Sequence, residues 1–231
     1  MWNFGGLEMT GALLREKYSL LMFDLDGTIA DTIYSIKDAV NMALAKHGFP
    51  ERSYDEVKMA IGNGARILIK LSLPEAVRDD TDILEKVFSD YEYFYETTYT
   101  KLNCYDGMHE TMTELKARGY TLAVLSNKQD AFVKRIIEVL FETETISMVL
   151  GQTDMPKKPD PFVPLMIAKE LGVAPEECAF IGDSDVDVRT GLNAGMGAVG
   201  VSWGYRDRSA LEAEGAHVIV DDPRELLEIF K

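Results

Sequence analysis

The sequence predicts an α/β fold, in which a doubly wound parallel sheet carries an inserted all-helical domain. Short apolar runs alternate with helical patterns along most of the chain, which is typical of parallel strands connected by helices. Several runs lack the apolar and polar alternation of a half-exposed strand, as expected when helices cover both faces of a sheet. Residues 30–101 contain no strand-like run, and their apolar residues repeat with helical spacing.

Six apolar runs are the predicted strands of the core. In chain order they are SLLMFDLD, YTLAVLSN, SMVLGQT, ECAFIGDS, GAVGVSWG and AHVIVDD. Helices are predicted between them, for example from Gly107 to Gly119 and from Phe162 to Leu171, where apolar residues line one face. The α/β core is therefore assigned to residues 1–29 and 102–231.

Residues 30–101 are predicted to form a separate helical domain. Its first helix spans about residues 32–47 and its last about residues 82–99, and each has an apolar face. The face residues are Ile33, Ile36, Val40 and Leu44 in the first helix, and Val87, Tyr91, Phe94 and Tyr95 in the last. Packing within a small helical domain explains the aromatic residues better than a ligand site does.

Charge and composition exclude several classes of function. The 231 residues carry a formal net charge of −15, which disfavours binding to nucleic acid or to anionic membranes. The N-terminal stretch MWNFGGLEMTGALLREK lacks the features of a secretory signal and is interpreted as a short extension. Two distant cysteines, Cys104 and Cys178, and three scattered histidines disfavour disulfides and zinc, and fit a reducing cytoplasm.

Four groups of polar residues lie where an open parallel sheet binds ligands, beyond the carboxyl ends of its strands. Each group alone has an ordinary explanation as a turn or loop. A calcium loop beginning at Asp183 is excluded, because Val188 and Ala194 stand where glycine and glutamate are required. All four groups together, in this order, indicate a functional site. They are Asp24, Asp26 and Thr28; Ser126, Asn127 and Lys128; Lys158 in KKPDP; and Asp183, Asp185 and Asp187.

The crowding of Asp24 and Asp26 at the end of an apolar strand predicts a cation site. Two carboxylates beside Asp183 make an oxygen-rich cluster, whose repulsion a hard divalent cation relieves. Mg²⁺ is the usual occupant of such open oxygen sites. A turn at Gly27 redirects the second carboxylate, so the two aspartates are free to take different roles.

The motifs DLDGT, SNK, KPDP and GDSDVD, in this order and with a helical insertion after the first, resemble the haloacid dehalogenase-like superfamily. The closing stretches GVSWGYRD and AHVIVDDPRELLEIF are similar to its phosphoglycolate phosphatase-like branch. The resemblance therefore covers most of the chain. It implies a Rossmann-like core with a helical cap, here residues 30–101.

The resemblance also implies catalytic roles. Asp24 is then the nucleophile that forms an aspartyl-phosphate, and Asp26 is the acid and later the base that assists it. Thr28 shapes the loop with Gly27. Ser126 and the backbone of Asn127 hold phosphoryl oxygens, and Lys158 pairs with the phosphate and with Asp24.

The same resemblance implies a Mg²⁺ site. Its ligands are Asp24, the backbone carbonyl of Asp26, and Asp183, while Asp187 orients the metal shell from behind. Asp185 receives no role and is interpreted as exposed.

In the cap, AIGNGAR resembles the specificity loop of that branch. Gly62, Asn63, Gly64 and Arg66 are therefore candidate substrate-binding residues, and Arg66 suits a substrate carboxylate. A simple turn between helices with a solvated arginine explains the segment equally well. Arg206 and Lys128 are weaker candidates, since surface basic residues are usually solvated.

The resulting prediction is a Mg²⁺-dependent phosphatase of small phosphomonoesters, with phosphoglycolate as the leading substrate. Its partner is a small phosphorylated metabolite, without nucleic acid or membrane, and the protein is a cytoplasmic monomer or homodimer. Asp26 argues against a dehalogenase, and Ile36 stands where a mutase of this family carries histidine. Hydrolysis of pyrophosphate, nucleotides or, through Lys37, phosphonates stays open, as does an inactive phosphate- or protein-binding relative.

Overall fold

The computed structural model describes residues 17–98, 102–142 and 144–231, and the backbone of residues 2–4 and 7–9. The predicted N-terminal extension lies largely outside these residues, and so do Tyr99 and Lys101 at the end of the predicted cap. The chain divides into two compact units, one of Met1–Ala30 with Cys104–Lys231 and one of Asp31–Asn103. These divisions fall one and two residues from the boundaries expected from the sequence.

The first unit contains a six-stranded sheet in the order β5-β4-β3-β6-β7-β8, in which every neighbouring pair is parallel. Each of the six predicted runs contributes one strand, which confirms the predicted fold class. A short antiparallel pair, β1 and β2, precedes this sheet. The strands are β1 Trp2–Phe4, β2 Leu7–Met9, β3 Leu20–Phe23, β4 Thr121–Gln129, β5 Met148–Gln152, β6 Cys178–Gly182, β7 Gly197–Val201 and β8 Val218–Val220.

Helices bury both faces of this sheet. All four residues of β3 are fully buried, and its Leu20 and Met22 pack with Val163 and Ile167 of the core helix Phe162–Glu170 in one apolar cluster. Burial on both faces explains why this run shows no alternation of polar residues. The core helices are α5 Met108–Ala117, α6 Asp130–Leu140, α7 Phe162–Glu170, α8 Asp185–Asn193, α9 Arg208–Ala213 and α10 Leu226–Ile229.

All regular secondary structure among the described residues of the second unit is helical. Its helices are α1 Ile33–Lys46, α2 Tyr54–Ala60, α3 Ala65–Ser72 and α4 Thr81–Thr98, with a short 3₁₀ turn at Glu75–Val77. The four apolar residues predicted for the first helix are buried. Tyr91 and Tyr95 are also buried and stack with their ring centroids 5.8 Å apart, so these members of the aromatic stripe pack within the unit. Within the described residues, no helix is both long and apolar enough to cross a membrane.

Candidate active site

The carboxyl ends of three adjacent strands bring the predicted site residues of the core together. Asp24 follows β3, Ser126 lies near the end of β4, and Asp183 follows β6. Lys158 joins them from the loop after β5. All four side chains are buried, and burial of three charged groups at one edge of a sheet requires that they compensate one another.

Lys158 links two carboxylates of this site. Its Nζ lies 2.7 Å from Oδ1 of Asp24 and 2.6 Å from Oδ1 of Asp187. Burial alone would lower the pKa of Lys158, but the carboxylates of Asp187 and Asp24 raise it above its ordinary value. The lysine is therefore a fixed positive charge beside the predicted nucleophile.

Asn127 positions the backbone of Lys158. Its side-chain Oδ1 accepts a hydrogen bond from the Lys158 N–H at 2.9 Å, and its Nδ2 donates to the Lys158 carbonyl at 3.0 Å. The expected contact of the Asn127 backbone with phosphoryl oxygens stays a prediction. The side chain has a structural role that the sequence did not indicate.

Asp183 is held from two sides. Its Oδ1 accepts a hydrogen bond from Oγ1 of Thr28 at 3.0 Å, and its Oδ2 accepts one from the backbone N–H of Tyr205 at 2.7 Å. A Cβ at Gly27 would lie 2.4 Å from Oδ2 of Asp183, so only glycine fits there. This close approach accounts for the glycine in the DLDGT motif, and Thr28 shapes the loop through its hydroxyl.

Asp187 is held behind this group by the start of helix α8. Its Oδ2 accepts hydrogen bonds from the backbone N–H and the hydroxyl of Ser184, at 3.0 and 2.6 Å, and its Oδ1 accepts one from Lys158. Both oxygens therefore have protein donors. This arrangement suits a residue that orients the site from behind.

The acidic cluster has the charge and the ligand chemistry for a divalent cation. Carboxylate oxygens of Asp24, Asp183 and Asp187 all lie within 4.8 Å of one another, with the single ammonium of Lys158 between two of them. Burial first, and then the neighbouring carboxylates, raise the pKa of Asp24 to about 7 and that of Asp183 well above its ordinary value. Lys158 opposes this shift at Asp24. A hard divalent cation relieves the remaining repulsion, so the chemistry of these residues fits such an ion.

Asp26 is paired differently from the other aspartates. Both of its carboxylate oxygens contact Nζ of Lys128, at 3.0 and 3.1 Å, and its side chain is not part of the cluster of three found among the described residues. Coordination of Mg²⁺ by the backbone carbonyl of Asp26 stays a prediction. The interpretation of Lys128 as a solvated surface residue was wrong, because its side chain is only 8% exposed.

Residues 21–201 match the family described as haloacid dehalogenase-like hydrolase, which is well over half of the chain. The chain belongs to this family. The recognition made from the DLDGT, SNK, KPDP and GDSDVD motifs is thereby confirmed.

Several relatives of this hydrolase are phosphatases. It is 30% identical over 212 residues to a phosphoglycolate phosphatase from Pseudomonas putida, an alignment that covers 90% of this chain and 78% of the relative. A phosphoglycolate phosphatase from Vibrio parahaemolyticus is 29% identical, with 94% and 98% covered. The crystal structure of a predicted phosphoglycolate phosphatase from Haemophilus somnus 129pt superimposes with a TM-score of 0.87 at 28% identity, covering 93% of this chain and 98% of that one. These relatives support the predicted enzyme class, a phosphoric monoester hydrolase.

A loop after β7 contributes to the site of the hydrolase through Trp203, Gly204 and Tyr205, which were not among the predicted site residues. Trp203 donates from Nε1 to the Thr28 carbonyl at 3.0 Å, and Tyr205 holds Asp183 through its backbone N–H. A Cβ at Gly204 would lie 2.3 Å from Cβ of Asp183 and 2.4 Å from the Gly27 carbonyl. The glycine between two aromatic residues directly after a strand is the signal that marks this close approach.

The predicted cap residues lie within the helical unit of the hydrolase. Gly62 and Gly64 have φ angles of 121° and 90°, and they separate helices α2 and α3, as the glycine-flanked break predicts. Arg66 is about half exposed and forms an ion pair with Glu85 of α4. Asn63 is exposed. Contact of these four residues with a substrate stays a prediction.

Proposed function

We propose that the chain is a cytoplasmic Mg²⁺-dependent phosphatase that hydrolyses small phosphomonoesters through an aspartyl-phosphate, with phosphoglycolate as its leading substrate. The observation that carries this proposal is the buried ion pair of Lys158 with Asp24 inside the acidic cluster. The carboxylate proposed as the nucleophile thereby lies beside a cation, at the edge of an open parallel sheet where ligands commonly bind. Phosphoglycolate is suggested by the names of the relatives.

The residues at the strand ends supply the two steps of the reaction. In the first, an oxygen of Asp24 attacks phosphorus while the bond to the alcohol oxygen breaks and Asp26 gives that oxygen a proton. In the second, Asp26 takes a proton from water, whose oxygen attacks phosphorus and releases Asp24 together with inorganic phosphate. Lys158 and the hydroxyl of Ser126 stabilise charge on the phosphoryl oxygens.

Asp24, Asp183 and the backbone carbonyl of Asp26 would hold Mg²⁺, with Asp187 behind them. When bound, the ion supplies the positive charge that offsets the repulsion between a carboxylate nucleophile and a phosphate dianion. The hydrogen bonds of Asp183 to Thr28 and Tyr205 fix its carboxylate for this role.

The proposed function is tested by measuring release of inorganic phosphate from phosphoglycolate, sugar phosphates, nucleotides, pyrophosphate and phosphonoacetaldehyde. Steady turnover of phosphomonoesters with Mg²⁺, lost with EDTA, supports the proposal. A preference for pyrophosphate, nucleotides or the phosphonate assigns one of the alternative hydrolases. Release from none of them contradicts an active phosphatase and favours a binding protein.

We expect Mg²⁺ to raise the melting temperature more at about pH 8 than at about pH 5.5. Asp24 and Asp183 have folded-state pKa values above their ordinary values, so the folded form binds protons more tightly than the unfolded form. In the absence of a cation, the contribution of Asp24 to stability falls as the pH rises from about 4 to about 7, and the contribution of Asp183 changes in the same direction. Protons therefore compete with Mg²⁺ at the lower pH. Scanning calorimetry with and without Mg²⁺ measures the difference, and an equal gain at both pH values would contradict this site.

Gly204→Ala is expected to weaken Mg²⁺ binding by about 10-fold or more, the usual effect of disturbing the support of a metal ligand. The added Cβ would overlap Asp183 and must displace either this ligand or the loop. Isothermal titration with Mg²⁺ measures the affinity. Gly200→Ala is the matched control, because its Cβ would meet Leu211 at 3.1 Å and no acidic residue. Unchanged affinity in a folded Gly204→Ala protein would show that this loop does not position Asp183.

A further inference from the structure

Lys128 lies inside the candidate site and has no role in the mechanism above. It follows Ser126 by two residues near the end of β4, and its backbone N–H donates to the Ser126 hydroxyl at 3.3 Å. Its Nζ contacts both carboxylate oxygens of Asp26, and its side chain is buried. Burial of a long cationic side chain in this position is unfavourable, because the side chain loses hydration and rotamer freedom. We therefore expect Lys128 to have a function in the site.

The contact with Asp26 places the ammonium on the leaving-group side of the reaction. In the proposed mechanism Asp26 hydrogen-bonds to the ester oxygen of the leaving alcohol. Two consecutive hydrogen bonds, each about 3 Å long, put Nζ of Lys128 within about 6 Å of that oxygen. In phosphoglycolate the carboxylate carbon is two bonds from the ester oxygen, which brings a carboxylate into the range of this ammonium.

A buried cation distinguishes a charged alcohol from a neutral one. A charge-assisted hydrogen bond in a site that excludes water is stronger than one at the surface. A lysine ammonium carries three N–H donors on a flexible stem, so it can contact Asp26 and a substrate carboxylate together. A neutral leaving alcohol offers the ammonium of Lys128 no anionic group in addition to the carboxylate of Asp26.

Arg66, the other candidate for this recognition, is in a different environment. Its guanidinium is about half exposed and is paired with Glu85 within the helical unit. An exposed ion pair contributes little binding energy, and a substrate carboxylate would have to compete with Glu85.

We propose that Lys128, and not Arg66, is the specificity-determining residue that recognises a carboxylate on the leaving alcohol. This inference rests on the proposed function, and it narrows the substrate class to phosphomonoesters of short hydroxy acids. Recognition of the carboxylate then comes from the strand that also carries Ser126.

The test compares phosphoglycolate with 2-hydroxyethyl phosphate, which replaces the carboxylate by a neutral group of similar size. In Lys128→Met we expect the ratio of the two kcat/KM values to fall by about 10- to 100-fold, the usual effect of losing a hydrogen bond to a charged group. Lys128→Arg should retain most of the ratio, because it keeps the charge. Arg66→Met is the matched control and should leave the ratio unchanged.

The ratio of the two kcat/KM values distinguishes recognition of the substrate carboxylate by Lys128 from positioning of Asp26 by Lys128. If Lys128 only positions Asp26, Lys128→Met lowers turnover of both substrates equally and the ratio stays constant, which overturns the proposal. A collapse of the ratio in Arg66→Met, with no change in Lys128→Met, overturns it in favour of the cap.

A binding measurement makes the result independent of turnover. Both phosphate esters are titrated calorimetrically into Asp24→Asn and into Asp24→Asn combined with Lys128→Met. We expect the preference for phosphoglycolate to be lost only in the double variant. If the wild-type protein hydrolyses neither ester, the proposed function fails, but this titration still decides whether Lys128 binds the carboxylate; an equal preference in both variants shows that it does not.

Discussion

Asp24→Asn should reduce phosphatase turnover by about 10⁴-fold or more, the scale seen when a nucleophile is removed. An amide oxygen does not form the aspartyl-phosphate, although asparagine keeps the shape of the side chain. The substitution also removes one negative charge from a buried acidic cluster, so the fold should persist. Release of inorganic phosphate gives the rate, and intact mass spectrometry after rapid acid quenching detects the phosphorylated wild-type protein.

Asp185→Asn is the matched control for this result, because Asp185 lies in the same GDSDVD motif. Its carboxylate forms ion pairs with Arg189 and Arg206, and it is not part of the acidic cluster. We expect near wild-type turnover from this variant. Mg²⁺-dependent turnover retained by Asp24→Asn would remove the basis for the nucleophile assignment.

Lys158→Met should be strongly damaging to both stability and activity. It leaves the carboxylates of Asp24 and Asp187 without their shared cation in a buried site. Breaking a buried ion pair from one side costs about 3–5 kcal/mol of unfolding free energy. Turnover should fall by about 10³-fold, because the fixed charge beside the phosphoryl group is lost.

Urea unfolding followed by circular dichroism measures the loss of stability, and Lys157→Met controls for removal of a lysine from the same loop. Lys157 is exposed, so its replacement should change the unfolding free energy little. Mg²⁺ should restore part of the stability of Lys158→Met, because a bound cation offsets the repulsion between the carboxylates of Asp24 and Asp187 that remains when the ammonium is lost. Unfolding free energies that do not differ between the two variants would contradict the electrostatic role of Lys158.

The fold and the centre of the site were predictable from the sequence for one physical reason. Parallel strands place their carboxyl ends at the same edge, so polar residues after SLLMF, TLAVL and CAFIG had to converge there. The missing alternation in these runs also predicted helices on both faces, and the burial of all of β3 agrees.

The side-chain pairing was not predictable in the same way. Lys128 and Asp26 are separated by 102 residues in sequence, and no local pattern shows that the lysine turns towards the site. The support of Asp183 by Gly204 and Tyr205 likewise depends on how the loop after β7 packs against the turn at Gly27. Such contacts are set by tertiary packing and not by periodicity or turn chemistry.

The side-chain amide of Asn127 accepts a hydrogen bond from the backbone N–H of Lys158 and donates one to its backbone carbonyl, as a neighbouring strand would. The backbone that carries the buried ammonium is therefore anchored to the end of β4, in addition to its covalent connection through residues 153–157. We therefore expect substitutions in this segment that keep its length to leave the ammonium between the two carboxylates, as long as Asn127 is retained.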